Sequence, residues 1–283
     1  MPLETPFILL ILLAAAMHAT WNSLVKAGSD VLLTQGLVLG VGALIALMAL
    51  PFLPLPAPAA RPFLIASMVA HFGYCIFLVL AYQRGDLSQV YPLARGMPPL
   101  VVAGMAALVV GETLQPLEIV GVSLVTLGIV SLTFSGGSPR PGRRRSLVFA
   151  AVAGLFISCY TMIDGLGVRR SGHEVSFIAW LFLVDGAPIA LLAVARRGRA
   201  AVAFLRREWK PGLIGGLIAT VGYSIVVWIM SKGGLARVAA LRETSVILVA
   251  LIGTLLLGER GRGRRIAAAA LVAAGNILLN ALR

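Results

Sequence analysis

Few residues in this chain can carry charge or donate a hydrogen bond, and where they fall is informative. His71, Tyr74, Leu78 and Tyr82 follow at intervals of three, four and four, which is one face of a helix. An imidazole and two phenols on one stripe suit a cavity wall, with hydrogen bonds for a carboxylate or amine and apolar ring bodies for a side chain. The plainer reading is that the tyrosines reach carbonyls of neighbouring helices. His18 and Asn22 lie four apart with Trp21 beside them, and Tyr160 and Asp164, 142 residues later, repeat the spacing. Asp164 sits four residues before Val168-Arg169, so an interior position and one near the water interface both remain open. Arg95 offers the planar fork of donors that binds carboxylates. Pro92, Pro98 and Pro99 around it predict a broken helix start with free amides, and Tyr91 precedes it. Trp180, Tyr223, Trp228, Arg242 and Glu243 add further polar or aromatic groups, and Asp185 precedes Gly186-Ala187-Pro188, which predicts a kink. Packing competes with substrate contact for each of these aromatics. The candidate substrate-binding set is therefore His18, Trp21, Asn22, His71, Tyr74, Tyr82, Tyr91, Arg95, Tyr160, Asp164, Trp180, Tyr223, Trp228 and Arg242.

The elements that must carry these residues follow from composition. Of the 283 residues, 59% are hydrophobic and 12% charged, and the mean hydropathy is +0.95. A soluble domain has about 45–50% apolar and about 25% charged residues. So little polar surface cannot cover a core in water, and the chain is an integral membrane protein. About ten apolar runs have the roughly 20-residue length that crosses a hydrocarbon layer of about 30 Å. They fall near 6–26, 31–55, 62–83, 87–110, 116–135, 147–167, 174–195, 211–231, 236–257 and 264–282. The runs are continuous, not alternating, which favours helices over an outer-membrane barrel. The first reads as a retained span: its opening MPLETP lacks Lys and Arg, and its far end has no small-residue cleavage site.

One stretch is written twice. LARGMPPLVVAGMAALVVGE covers 93–112 and LRETSVILVALIGTLLLGE covers 241–259, with Arg95–Glu112 and Arg242–Glu259 equally separated. Those seventeen steps rise about 26 Å at 1.5 Å each, one membrane helix with a charge at each end. Gly73-Tyr74 and Gly222-Tyr223 extend the match upstream. The chain thus divides into two homologous halves, 1–138 and 139–283, joined by SGGSPRPGRRR. Five spans per half make the second half enter the membrane from the opposite side, the inverted repeat of many secondary transporters. The four charges are then either end anchors or pairs across the two-fold, Arg95 with Glu259 and Arg242 with Glu112.

Two five-span halves, PLARGMPPL with its Gly-Glu ending, its echo at 241–259, MHATWNSLVKAG at 17–28 and YTMIDGLGVR at 160–169 resemble the EamA branch of the drug/metabolite transporter superfamily. The second half departs from the signature, with Arg-Glu-Thr-Ser where the first has Arg-Gly-Met-Pro. The resemblance implies an all-α polytopic fold of ten transmembrane helices and secondary-active export of small metabolites across a bacterial inner membrane. It is similar within the family to bacterial amino-acid exporters, which implies amino acids as substrate, with drugs, sugars or nucleotide-type metabolites as alternatives. A cation preference is hard to reconcile with so few acids in the spans. The expected cavity lies between the third and fourth spans and the eighth and ninth, closed by the first and sixth.

Other classes fit poorly. The net charge of +13 suggests nucleic acid, but the basic residues sit in membrane loops and report topology. Their excess at 140–145, 196–210 and 260–265 places those loops in the cytoplasm and both termini outside, whereas the resemblance implies both inside. HExxH, Gly-x-Ser-Gly, Walker A and intramembrane Gly-x-Gly-Asp motifs are all missing, so no enzyme and no cofactor is expected. Cys75 and Cys159 lie within spans and have no spacing for a metal. The expected partners are a small-molecule substrate and the lipid bilayer.

Overall fold

Without water to satisfy backbone groups, a spanning segment has to bond within itself, and helices follow. The computed structural model describes residues 4–27, 29–83, 87–133, 143–248 and 262–281. Every described element is a helix: α1 (Thr5–Ala27), α2 (Val31–Ala49), α3 (Arg61–Tyr82), α4 (Leu87–Gly96), α5 (Pro98–Met105), α6 (Pro116–Thr133), α7 (Arg143–Arg169), α8 (Glu174–Arg197), α9 (Arg199–Met230), α10 (Leu235–Arg242) and α11 (Arg262–Ala281). Short 3-10 turns join α2 to α3, and a π-helical turn, Ala106–Val110, continues α5. Eight helical stretches are long and apolar enough to cross a membrane, the fourth running from Gln89 through α4 and α5 to Val110. Large apolar side chains such as Leu44, Val69, Leu108 and Ile277 face outward, the arrangement a hydrocarbon surround requires. The chain is an all-α polytopic membrane protein. The predicted ninth span runs beyond the described residues after Leu248, and the tenth corresponds to α11, which is not among the eight.

Two boundaries differ from expectation. Residues 199–210, read as loop, form three further turns at the start of α9, which at 32 residues is about 48 Å long. The segment RAAVAFLRREWK is rich in good helix formers, and its charges extend beyond the apolar layer, so hydropathy misses it. Gly198 stops α8 and starts α9 with φ +50, a backbone region open to glycine. Second, α8 continues through Pro188 without a break from Glu174 to Arg197.

The Gly-Glu ending of the fourth span has a structural cause. Gly111 takes φ +69, and the Glu112 amide bonds back to Ala106 O at 3.1 Å, the left-handed closure that ends a helix. That turn aims Glu112 at the N-terminus of α10, where Leu235 N donates to Oε1 and Oε2 at 3.2 and 3.0 Å. The matching Glu259 lies outside the described residues.

Helices pair as α1 with α9, α2 with α8, α3 with α7, α5 with α10 and α6 with α11. Close approach of α6 and α11 depends on glycine: a Cβ on Gly121 would stand 2.7 Å from Gly275 O, and one on Gly275 would stand 2.5 Å from Gly121 O. Gly121→Val is expected to push these helices apart and cost about 1–3 kcal/mol. The check is the fraction that stays monodisperse in size-exclusion chromatography after heating. Gly104→Ala, at a position facing open space, should be close to neutral.

Candidate functional site

Polar side chains from α3, α4, α7, α8, α9 and the end of α10 meet in the interior, where each must be satisfied by another. Asp164 is fully buried on α7 and accepts from Ser67 Oγ at 2.5 Å and from the Tyr223 hydroxyl at 2.6 Å. The interior alternative for Asp164 is therefore the observed one. His71, one turn after Ser67, places Nδ1 3.1 Å from Ser67 Oγ and 3.1 Å from Asp185 Oδ2. Its ring stacks on Tyr160 at 3.8 Å between centroids, and Tyr74 meets Tyr160 edge-on at 5.9 Å. The third-span stripe thus faces α7, with Leu78 and Tyr82 in the same apolar cluster as Tyr160.

Beside this group lies a cluster of charges. Arg95 Nη2 is 2.9 Å from Glu243 Oε1, and Arg242 Nε is 3.5 Å from the same oxygen. All three residues are at most 4% exposed. Arg242 also stands over the Tyr223 ring, 5.8 Å from its centroid. Two arginines against one glutamate leave one positive charge in excess. Arg95 Nε, the Tyr91 hydroxyl and Glu243 Oε2 are buried without a hydrogen-bond partner among the described residues. Arg95 owes its position to the proline break: α4 ends at Gly96 and α5 begins at Pro98, and two prolines remove the amides that would have bonded Ala94 O and Arg95 O. Pro98 and Pro99 have no amide hydrogen, so the free amides expected at this break do not come from them.

Arg95, Arg242 and Glu112 depart from the expected roles, while the expected Arg95–Glu259 pairing falls on a glutamate outside the described residues. Arg95 and Arg242 are not end anchors, and each pairs with Glu243, which immediately follows Arg242 in the chain. Glu112 pairs with Arg169 at 3.2 Å, not with Arg242. Arg169 also donates to Met230 O at 2.9 Å and Gly233 O at 2.5 Å, so one arginine fastens α7, the end of α9 and the fourth span. Arg237 bonds Glu118 and Lys232 bonds Glu174 at the same end of the molecule.

Other candidates sit apart from the centre. Trp21 Nε1 bonds His18 Nδ1 at 3.2 Å and Asn22 Nδ2 bonds His18 O at 2.8 Å, so both hydrogen-bond within α1. His18 is within electrostatic reach of Arg95 and Arg242. Trp228 packs edge-on against Phe7 at 5.8 Å and Trp180 borders the main apolar cluster. Ser67, Asp185 and Glu243 belong to the centre though outside the candidate set. Ser67 could have been found, since it precedes His71 by four on the same helical face. The sixth and seventh spans also contribute centrally, whereas the sixth was expected only to close the cavity.

Comparison with known proteins follows this geometry. Residues 144–281 match the EamA-like transporter family. EamA belongs to the drug/metabolite transporter superfamily, and the family suggests transport of small molecules. No curated protein matches the sequence. Among solved structures, 29 chains match. One, a crystal structure of a protein at 20% identity, covers 98% of this chain and 96% of its own with a TM-score of 0.72, which speaks for the fold alone.

Breaking a buried ion pair from one side costs about 3–5 kcal/mol, because the other charge stays buried. Glu243→Gln is therefore expected to lower thermal stability sharply by leaving two uncompensated arginines. Arg95→Met combined with Glu243→Met restores the original excess of one charge and should recover much of the loss. Melting curves of the two variants by intrinsic fluorescence check this coupling.

Proposed function

We propose that this chain is a secondary-active exporter of small zwitterionic metabolites, foremost amino acids, in the inner membrane of a bacterium. The observation that carries the reading is the placement of opposite charges on two sides of one tyrosine. Tyr223 bonds Asp164 through its hydroxyl and lies under Arg242 through its ring. A carboxylate suits the surplus charge of Arg95 and Arg242, an ammonium suits Asp164, and the rings of Tyr160 and Tyr223 suit a side chain. Tyr74, Tyr82 and Tyr91 extend the aromatic wall, and His18 stands at the arginine side.

The transport cycle in this reading is alternating access between inverted halves 1–138 and 139–283. Taking α4, α5 and the π turn as one span, the helix pairs are first with eighth, second with seventh, third with sixth, fourth with ninth and fifth with tenth. Exchanging each span with the one five places along leaves that set unchanged, as a two-fold between ten spans requires. Supporting one closed face, Glu112–Arg169, Glu118–Arg237 and Glu174–Lys232 tie the end of the bundle that carries both termini. The arginines at the starts of α7 and α11 and around the α8–α9 turn fall at the opposite end, and the basic-inside rule favours the tied end as external. The centre is shut off from water, and a substrate reaches it when one of these faces opens.

A second reading is export of organic amines or drug-like cations. It gains from the two acids Asp164 and Asp185 at the centre, which the sequence alone did not bring together. Counterflow into liposomes with amino acids and their decarboxylated amines separates the two. Under the zwitterion reading amino acids exchange, and Arg242→Gln weakens them about 10–150-fold, the loss of one charge-assisted contact of about 1.5–3 kcal/mol. If amines exchange better than amino acids and ignore Arg242→Gln, the cation reading replaces it.

The tied face makes its own prediction. Glu112→Gln weakens the contact to Arg169 and to the α10 amide. It should raise labelling of a cysteine placed at Gly234 by an impermeant maleimide in right-side-out cells, relative to the same cysteine with Glu112 intact.

A further inference from the structure

We propose that Asp185, His71, Ser67 and Asp164 form one proton-holding chain, and that the proton it holds is exchanged for the cationic group of the substrate. The inference rests on the transporter reading above and adds the driving ion to it.

The chain is continuous and crosses three helices. Ser67 has one hydroxyl hydrogen and donates it to Asp164 Oδ1 at 2.5 Å, so its lone pair is what faces His71 Nδ1 at 3.1 Å. The same nitrogen faces Asp185 Oδ2 at 3.1 Å and the Ser67 carbonyl oxygen at 3.3 Å. Bare lone pairs at those distances would repel, so Nδ1 either carries a hydrogen shared between the two oxygens or accepts one from the Asp185 carboxyl. Transfer then balances atom by atom. His71 Nδ1, in the tautomer that carries its hydrogen on Nε2, takes the proton of Asp185. Nδ1 passes it to Ser67 Oγ, and Ser67 gives its own hydrogen to Asp164. The ring returns to its starting tautomer, Asp185 becomes a carboxylate and Asp164 becomes a carboxylic acid.

The surroundings favour a site that changes its occupant. Asp185 Oδ1 is buried without a hydrogen-bond partner among the described residues, which leaves one acceptor aimed at neither the chain nor the fold. From α10 the charge of Arg242 acts on Asp164 and on His71, and Glu243, shared by Arg95 and Arg242, offsets one of the two arginine charges. The remaining groups that face the chain are uncharged polar ones: Tyr160 of α7 on His71, Cys75 of α3 on Asp185, and Tyr223 of α9 on Asp164. Gln35 of α2 bonds Cys75 behind them at 3.7 Å. An ammonium group arriving at Asp164 or Asp185 needs the lone pairs that the proton occupies. Both cannot be held at once, which is the requirement for antiport: protons enter as substrate leaves.

Two measurements test this. Infrared difference spectroscopy of purified, substrate-free protein should show a carboxylic-acid carbonyl band that grows as pH falls and disappears in Asp164→Asn or Asp185→Asn. In liposomes, an imposed proton gradient should concentrate substrate against its gradient. Ser67→Ala cuts the middle link while keeping both acids, and should reduce this accumulation at least ten-fold more than it reduces counterflow. A titrating band that survives both substitutions overturns the proposal. So does accumulation in Ser67→Ala reduced only in step with counterflow. Failure of every compound to exchange would sink the substrate assignment, while the infrared result, which needs no substrate, still decides whether the chain holds a proton. If Asp164→Asn does not fold, Asp185→Asn and Ser67→Ala carry the same test.

Discussion

An arginine in the middle of a bilayer must find a counter-charge, because no water is there to solvate it. Arg95 and Arg242 both find Glu243, and the rest of the centre is arranged around that contact. The proline break that lets Arg95 turn inward, the short α10 that ends in Arg242 and the packing of α5 against α10 each bring a member of the triad into place. The excess positive charge beside Tyr223 is the asymmetry on which the proposed carboxylate site rests.

The two halves therefore contribute different chemistry from the same position in the repeat. At the equivalent place the fourth span has Gly96-Met97-Pro98 after its arginine, and the ninth has Glu243-Thr244-Ser245. Prolines break the first helix by deleting donors. In the second, α10 ends at Arg242 and helix resumes at Thr244. One half supplies a carboxylate where the other supplies a bend, and that carboxylate contacts the arginine of both while offsetting only one of the two charges.

Much of this was written in the sequence, and what was missing has a common cause. Span limits depend on local apolar length, so Thr5–Ala27, Arg61–Tyr82 and Glu174–Arg197 sit within a few residues of the expected runs. The Gly-Glu ending was visible as a repeat, but its role needed the α10 amide that Glu112 caps, and α10 lies more than a hundred residues away. Spacing along one helix brought out His71, Tyr74 and Tyr82 and still overlooked Ser67, because a serine in a membrane helix commonly bonds its own backbone. Ser67 instead reaches across to Asp164, ninety-seven positions later. Partner choice between charges was the least legible feature. A one-dimensional pattern offered Arg242 to Glu112, while the fold joined Arg242 and Arg95 to the glutamate one residue beyond Arg242 and gave Glu112 to Arg169.

The Glu112–Arg169 contact at the end that carries both termini is more solvated than the centre, although Glu118–Arg237 beside it is buried. The Glu112–Arg169 pair is about one-fifth to one-quarter exposed on its two side chains, against 5% and 1% for Arg95–Glu243. Partly solvated pairs near a membrane surface are screened and lose little when separated, because water takes over their hydrogen bonds. A desolvated pair has no such replacement and holds its geometry. The transport cycle proposed above needs both kinds: a rigid centre that keeps its recognition groups in register, and a peripheral latch whose opening costs no more than substrate binding can return. Arg169 is suited to the latch because it gathers carbonyls at the end of α9 and the carboxylate of the fourth span in a single side chain. Moving the end of α7 by a few ångströms would release all of these contacts together, so the face would open in one step rather than fray.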